Sequence, residues 1–135
     1  MFFRLKAQVS YWLARRLFHW QWFVRQPRGW SWLEGQFARM ANLGDVDAQS
    51  FYGHILTFRG VGLGAREEGL RLLRLAALAG DGKAAYQVGV ISLAGTPSKA
   101  PDPAEAARFW NIAAKAGHPL AELKLKELAA RDDGL

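Results

Sequence analysis

Three histidines, His19, His54 and His118, are the side chains best suited to bind a metal or move a proton near neutral pH. A helical metal site needs ligands one turn apart. None of the three has a second histidine at i+4 or a surrounding set of carboxylates, so the spacing supplies no metal motif. His118 precedes Pro119 at the start of a helical stretch, which suits a turn residue. The glycines of "GVGLG", Gly60 to Gly64, are spaced as if to cradle a phosphate. No strand precedes them, and the lysine and hydroxyl residue of a phosphate-binding loop are missing. Glu67 and Glu68 read as a first-turn acidic pair that favours a helix N-terminus. Serine and threonine are sparse, and none occupies a nucleophile elbow. The absence of cysteine removes disulfides, thiolate metal sites and thiol catalysis together. The expectation is a chain with no catalytic residues, no metal and no cofactor.

The elements that would position any site are helices. Alanine and leucine dominate, apolar residues recur at three and four, and runs of β-branched residues are missing. "DPAE" at Asp102 to Glu105 offers an acidic N-cap, a proline at the first helical position and a glutamate able to reach back, and so predicts a helix from about 103 to 116. Gly117 ends it and Pro119 opens the next, over 119 to 131. The same reasoning predicts helices near 30 to 43, 46 to 59, 66 to 79 and 82 to 94. Ser31 with Glu34 forms a second capping box, and Pro27 and Gly29 set these apart from an N-terminal helix over about 3 to 25.

The pattern repeats. Gly44, Gly80 and Gly117 stand 36 and 37 positions apart, and Ala48, Ala84 and Ala121 keep the same offsets. Phe37, Leu73 and Trp110 share one bulky slot, followed by the pairs Met40-Ala41, Ala76-Ala77 and Ala113-Ala114. A large side chain on one helix fits beside an alanine or glycine on its neighbour, and a short turn calls for glycine in the left-handed region. Each helix pair leaves an apolar face that only the next pair can cover.

These residues resemble the Sel-one-like repeat, a helix pair related to the tetratricopeptide unit. Ala48, Gly53, Gly60, Gly62, Leu63, Leu73, Ala76, Ala77 and Gly80 match its slots, and Ala84, Gly89, Gly95, Ala106, Trp110, Ala113, Ala114 and Gly117 match the next unit. Gly69 stands where the family prefers alanine, Leu73 where it prefers an aromatic, and "GTPSKAPD" replaces the second G-x-G loop. The resemblance spans about residues 30 to 131. It implies an all-α fold, a short right-handed α-solenoid of antiparallel helix pairs with about seven helices, the N-terminal one being extra. It also implies a non-catalytic adaptor, often bacterial, that binds a protein or peptide.

Residues 1 to 28 match nothing in that pattern, which divides the chain into an aromatic, basic N-terminal segment and a repeat solenoid over 29 to 135. The segment carries the whole charge excess: six of 18 basic residues precede the first acid, Glu34, and the remaining 12 are balanced by 12 acids. On a helical wheel Leu5, Val9, Trp12, Leu13, Leu17, Trp20, Phe23 and Val24 form a broad apolar stripe, with Lys6 and Arg16 at its margins. Tyr11, Phe18 and Trp22 form a second strip across a narrow polar band. Three roles are open: the helix caps the solenoid by packing on the helix of Trp30, Trp32, Phe37 and Met40; it docks a partner or a second copy; or it lies on anionic lipid. The balanced charge of the scaffold and the lack of a groove signature disfavour nucleic acid.

The segment is too interrupted by Arg, His and Gln for a secretory leader, and no stretch reaches the roughly 20 apolar residues of a spanning helix, so a cytoplasmic chain is expected. The candidate partner-binding residues are Trp12, Arg15, Arg16, Trp20 and Trp22 from the N-terminal helix, with Phe51, His54, Phe58 and Arg59 from the first helix of a repeat. The alternative to an adaptor is a peripheral protein of the bacterial inner membrane, held by the same N-terminal helix.

Overall fold

The computed structural model describes residues 2–18, 27–60 and 62–133, which contain seven helices and no strand. These are α1 (Phe2–Phe18), α2 (Pro27–Asn42), α3 (Val46–Arg59), α4 (Leu63–Leu78), α5 (Gly82–Ala94), α6 (Pro103–Lys115) and α7 (Ala121–Asp133). Each helix packs on the next. Across one pair to the following one, α3 also meets α5 and α4 meets α6, so the chain is a short α-solenoid.

The turns show why the register repeats. Gly44, Gly80 and Gly117 have φ of +89°, +101° and +87°, the left-handed region that a Cβ disfavours. Their N–H groups donate to the carbonyls of Ala41, Ala77 and Ala114 at 3.1, 2.9 and 3.0 Å. The next residues, Asp45, Asp81 and His118, donate to Met40, Ala76 and Ala113 at 3.3, 3.0 and 2.9 Å. This paired closure satisfies carbonyls that each helix end leaves open. The same residues then start the following helix. Asp45 accepts from Ala48 N–H and Asp81 from Ala84 N–H, while His118 Nδ1 accepts from Leu120 N–H.

A Cβ at Gly80 would meet nothing within 4 Å, so Gly80→Ala isolates the backbone term. It should cost about 1–2 kcal/mol in urea denaturation. Gly35, exposed inside α2 with the same open surroundings, should respond to alanine with a gain of about 0.5–1 kcal/mol.

Bulky and small residues interlock as the repeat requires. Trp110 lies against Gly89 and donates its indole N–H to the Tyr86 carbonyl at 3.2 Å. Leu73 lies against Gly53, and Gly69 faces the Gly53 carbonyl and Thr57 so closely that a methyl group would not fit, which accounts for glycine at this position. Ala48, Ala84 and Ala121 are fully buried.

Several helix starts differ from expectation. Pro27 is the first residue of α2, where its missing N–H is harmless, so Gly29 and Ser31 are interior and the Ser31–Glu34 box does not form. Glu34 instead accepts from the Tyr52 hydroxyl at 3.3 Å, and burial with that carboxylate pushes the Tyr52 phenol up to about 12. Helix α4 begins at Leu63, which places Glu67 and Glu68 beyond its first turn; Glu68 pairs with Arg71 there. Pro119 lies in the turn before α7. Asp102 caps α6 through Glu105 N–H at 3.0 Å, but Glu105 does not reach back. It turns inward, accepting from Arg74, from Ser92 at 2.9 Å and from Lys99 at 3.1 Å. Arg74 foremost, with Lys99 and Ser92, holds its carboxyl well below the usual range, at about 2.

The largest departure concerns α1. Its inward face is Ala7, Tyr11 and Ala14, with Phe18 half-buried, while the stripe residues Val9, Trp12 and Leu13 face outward. Val9 and Trp12 are each 58% exposed and Leu13 44%. Phe37 of α2 already fills the volume at this seam, so alanines fit opposite it while Tyr11 and Phe18 meet its edges at centroid distances of 6.0 and 6.2 Å. Complementary volume decides the face where apolar area alone does not. The described part of the N-terminal helix ends at Phe18; the expected continuation to 25 lies outside the described residues.

Candidate interaction groove

The first helices of successive pairs contribute side chains to one groove of about 490 Å³. Arg15 enters from α1, Asp47, Ser50, Phe51 and His54 from α3, and Asp81 and Lys83 from the start of α5, while the α6–α7 turn closes the end with Gly117, His118 and Pro119. The repeat register creates this alignment, because equivalent helices present equivalent turns to the same side.

Much of the groove's polarity is already bonded. Asp47 accepts from Arg15 at 2.7 Å and from the Tyr11 hydroxyl at 3.1 Å. Burial first, then the Asp47 charge and hydrogen bond, raise the Tyr11 phenol well above its ordinary value. The Arg15 guanidinium also lies 4.8 Å from the Phe51 ring centroid. Both members of the Arg15–Asp47 pair are about half exposed, so their attraction contributes at most about 1 kcal/mol; its main effect is to hold both groups in place. Asp81 accepts from Ser50 at 2.8 Å in addition to capping α5.

The two groove histidines are fixed in opposite senses. His54 Nδ1 lies 2.6 Å from the Ser50 carbonyl, which can only accept, so Nδ1 carries the proton and the neutral ring keeps an acceptor at Nε2. His118 Nδ1 accepts from Leu120 N–H, so its neutral ring presents a donor at Nε2. His118 stacks on Tyr86 at 4.3 Å with a 7° interplanar angle. One ring offers an acceptor, the other a donor.

Of the candidate partner-binding residues, Arg15, Phe51 and His54 line this groove together. Phe58 and Arg59 lie at the far end of α3: Phe58, 62% exposed, stacks on His54 at 6.3 Å, and the Arg59 guanidinium lies 5.1 Å from the Phe18 ring. Trp12 and Arg16 do not join them. They lie on the outer face of α1, with Arg16 over the Trp12 ring at 4.9 Å. Trp20 and Trp22 lie outside the described residues. Asp47, Asp81, Lys83 and His118 were missed as groove residues. The signal for two of them was present, since Asp81 and His118 follow the repeated glycines at the same offset.

The fold and groove together define a class: a short α-solenoid with an open polar and aromatic channel along its first helices. No known protein family and no curated protein matches the sequence.

Proposed function

We propose that the chain is a non-catalytic adaptor of the Sel-one-like kind, working in a bacterial cytoplasm, whose groove holds an extended segment of a protein partner. The observation that carries this reading is the convergence of Arg15, Phe51, His54, Lys83 and His118 on one open groove whose walls are held by scaffold bonds. An extended peptide supplies backbone donors and acceptors for the two fixed imidazoles and side chains for the Phe51 ring. Preset walls keep the ordering cost of binding low. Asp47, Asp81 and the His118 Nδ1 each hold the fold itself, an occupation that suits a scaffold better than proton transfer.

The test is selection of peptides on the intact chain, followed by titration against surface variants. Lys83→Glu should weaken selected peptides by about tenfold, the scale of one charged hydrogen bond, and His54→Ala by about fivefold, the scale of a neutral one. Peptides that bind both variants as well as the parent would remove the groove from consideration. Deleting residues 1 to 28 is no substitute, because Tyr11, Ala7 and Ala14 belong to the core around Phe37.

A further inference from the structure

We propose that the outer face of α1 docks the chain on an anionic lipid surface, with Lys6, Val9, Trp12, Leu13 and Arg16 as the contact residues. Positions 6, 9, 13 and 16 form one ridge along the helix by their spacing of three, four and three, and Trp12 lies beside it. All five are exposed: Val9, Trp12 and Leu13 are large apolar side chains in water, and Lys6 and Arg16 bracket them. The opposite face is committed to α2 and α3 through Ala7, Tyr11 and Ala14, so docking does not compete with folding. It also leaves the groove open, since Arg15 points to Asp47 on α3.

Charge selects the occupant. No acid occurs before Glu34, and the formal excess of +6 is carried by the basic residues that precede it. A second copy docked face to face through α1 would bring Lys6 and Arg16 of both chains together with no carboxylate on either helix to balance them. An anionic bilayer supplies that balance everywhere along the ridge. It suits the shape too. A convex ridge of valine and leucine fits a yielding acyl boundary, while tryptophan and the stems of lysine and arginine are at home at headgroup depth. No described helix is long and apolar enough to cross a membrane, so the contact is with the surface.

The test uses the full chain with vesicles of phosphatidylcholine alone and of phosphatidylcholine mixed with phosphatidylglycerol. Binding should require the anionic lipid and fall steeply with added salt. Lys6→Gln with Arg16→Gln should reduce the partition coefficient about thirty-fold, and Val9→Ser with Leu13→Ser about a hundredfold. Because all four positions face solvent, circular dichroism and the urea midpoint should stay unchanged. Lys83→Glu in the groove should leave lipid binding as it is, which separates this surface from the adaptor reading. Failure of the parent chain to bind anionic vesicles, equal binding to neutral ones, or unaltered binding by both double variants would overturn the assignment. Self-association that the ridge variants abolish, seen by sedimentation without vesicle binding, would transfer the face to a second copy.

Discussion

Replacing Trp110 by alanine should lower the unfolding free energy by about 4 kcal/mol and the melting temperature by about 15 °C. The side chain is 1% exposed and fills the space that Gly89 leaves on α5. Its removal empties the middle of a small buried cluster, shared with Ala106 of the same helix and Leu128 of α7, that short side chains cannot refill. Gly89→Ala attacks the same contact from the other side. A Cβ there would lie 2.8 Å from Trp110 Cε2 and closer still to Nε1, in the middle of a ring held by its bond to Tyr86, so it should cost about 2–3 kcal/mol. The two changes should not add. With Trp110 already truncated, the new methyl group enters the void, and the second substitution should cost little or recover stability. Trp110→Leu should cost less than alanine, since Leu73 holds the equivalent slot one repeat earlier against Gly53. Urea denaturation of the four variants reads all of this; a loss below about 1 kcal/mol for Trp110→Ala would mean that interlocking does not hold the pair together.

Legibility in the sequence followed how local each constraint is. The turns at Gly44, Gly80 and Gly117 were readable because a positive φ restricts residue type at a single position, and the bulky and small slots were readable because a helix crossing restricts it at two. Helix starts were less so. The Ser31–Glu34 box had the right letters, yet Pro27 offered an earlier start and Tyr52 offered Glu34 a partner from another helix. The inward face of α1 was the least legible. Apolar residues surround that helix, so the choice between the Val9–Trp12–Leu13 side and the Ala7–Tyr11–Ala14 side rests on the volume of Phe37, which is distant in sequence. The groove divides in the same way. Phe51 and His54 line it from a helix that the repeat itself marks out, whereas Asp47 gains its place only through Tyr11 and Arg15, more than 30 positions away. His118 was read as a turn residue, which it is; a turn that lines a groove looks no different in one dimension.

Glu105 should prove the most costly charge to remove. It is 7% exposed and accepts from Arg74, Ser92 and Lys99, so one carboxylate joins α4, α5 and the loop over 95–102 to the first turn of α6. Glu105→Ala leaves the Ser92 hydroxyl and the Arg74 guanidinium without their acceptor and should cost about 3 kcal/mol at neutral pH; the partial exposure of Arg74 and Lys99 keeps it at the low end for a buried pair. Glu105→Gln keeps the shape and loses the charge, which makes it the sharper probe. The native carboxyl titrates at about 2, below its ordinary 4.5, so the folded state binds the proton more weakly than the unfolded chain does. The resulting stabilisation is complete above pH 4.5 and disappears as the pH falls toward 2. Screened by the water around Lys99, it should amount to about 2 kcal/mol. Over that window the parent chain should lose stability faster than Glu105→Gln, and the two denaturation curves should converge at the acid end. Parallel pH profiles would show that the carboxylate's charge contributes nothing there, leaving α6 joined to α4 by packing alone.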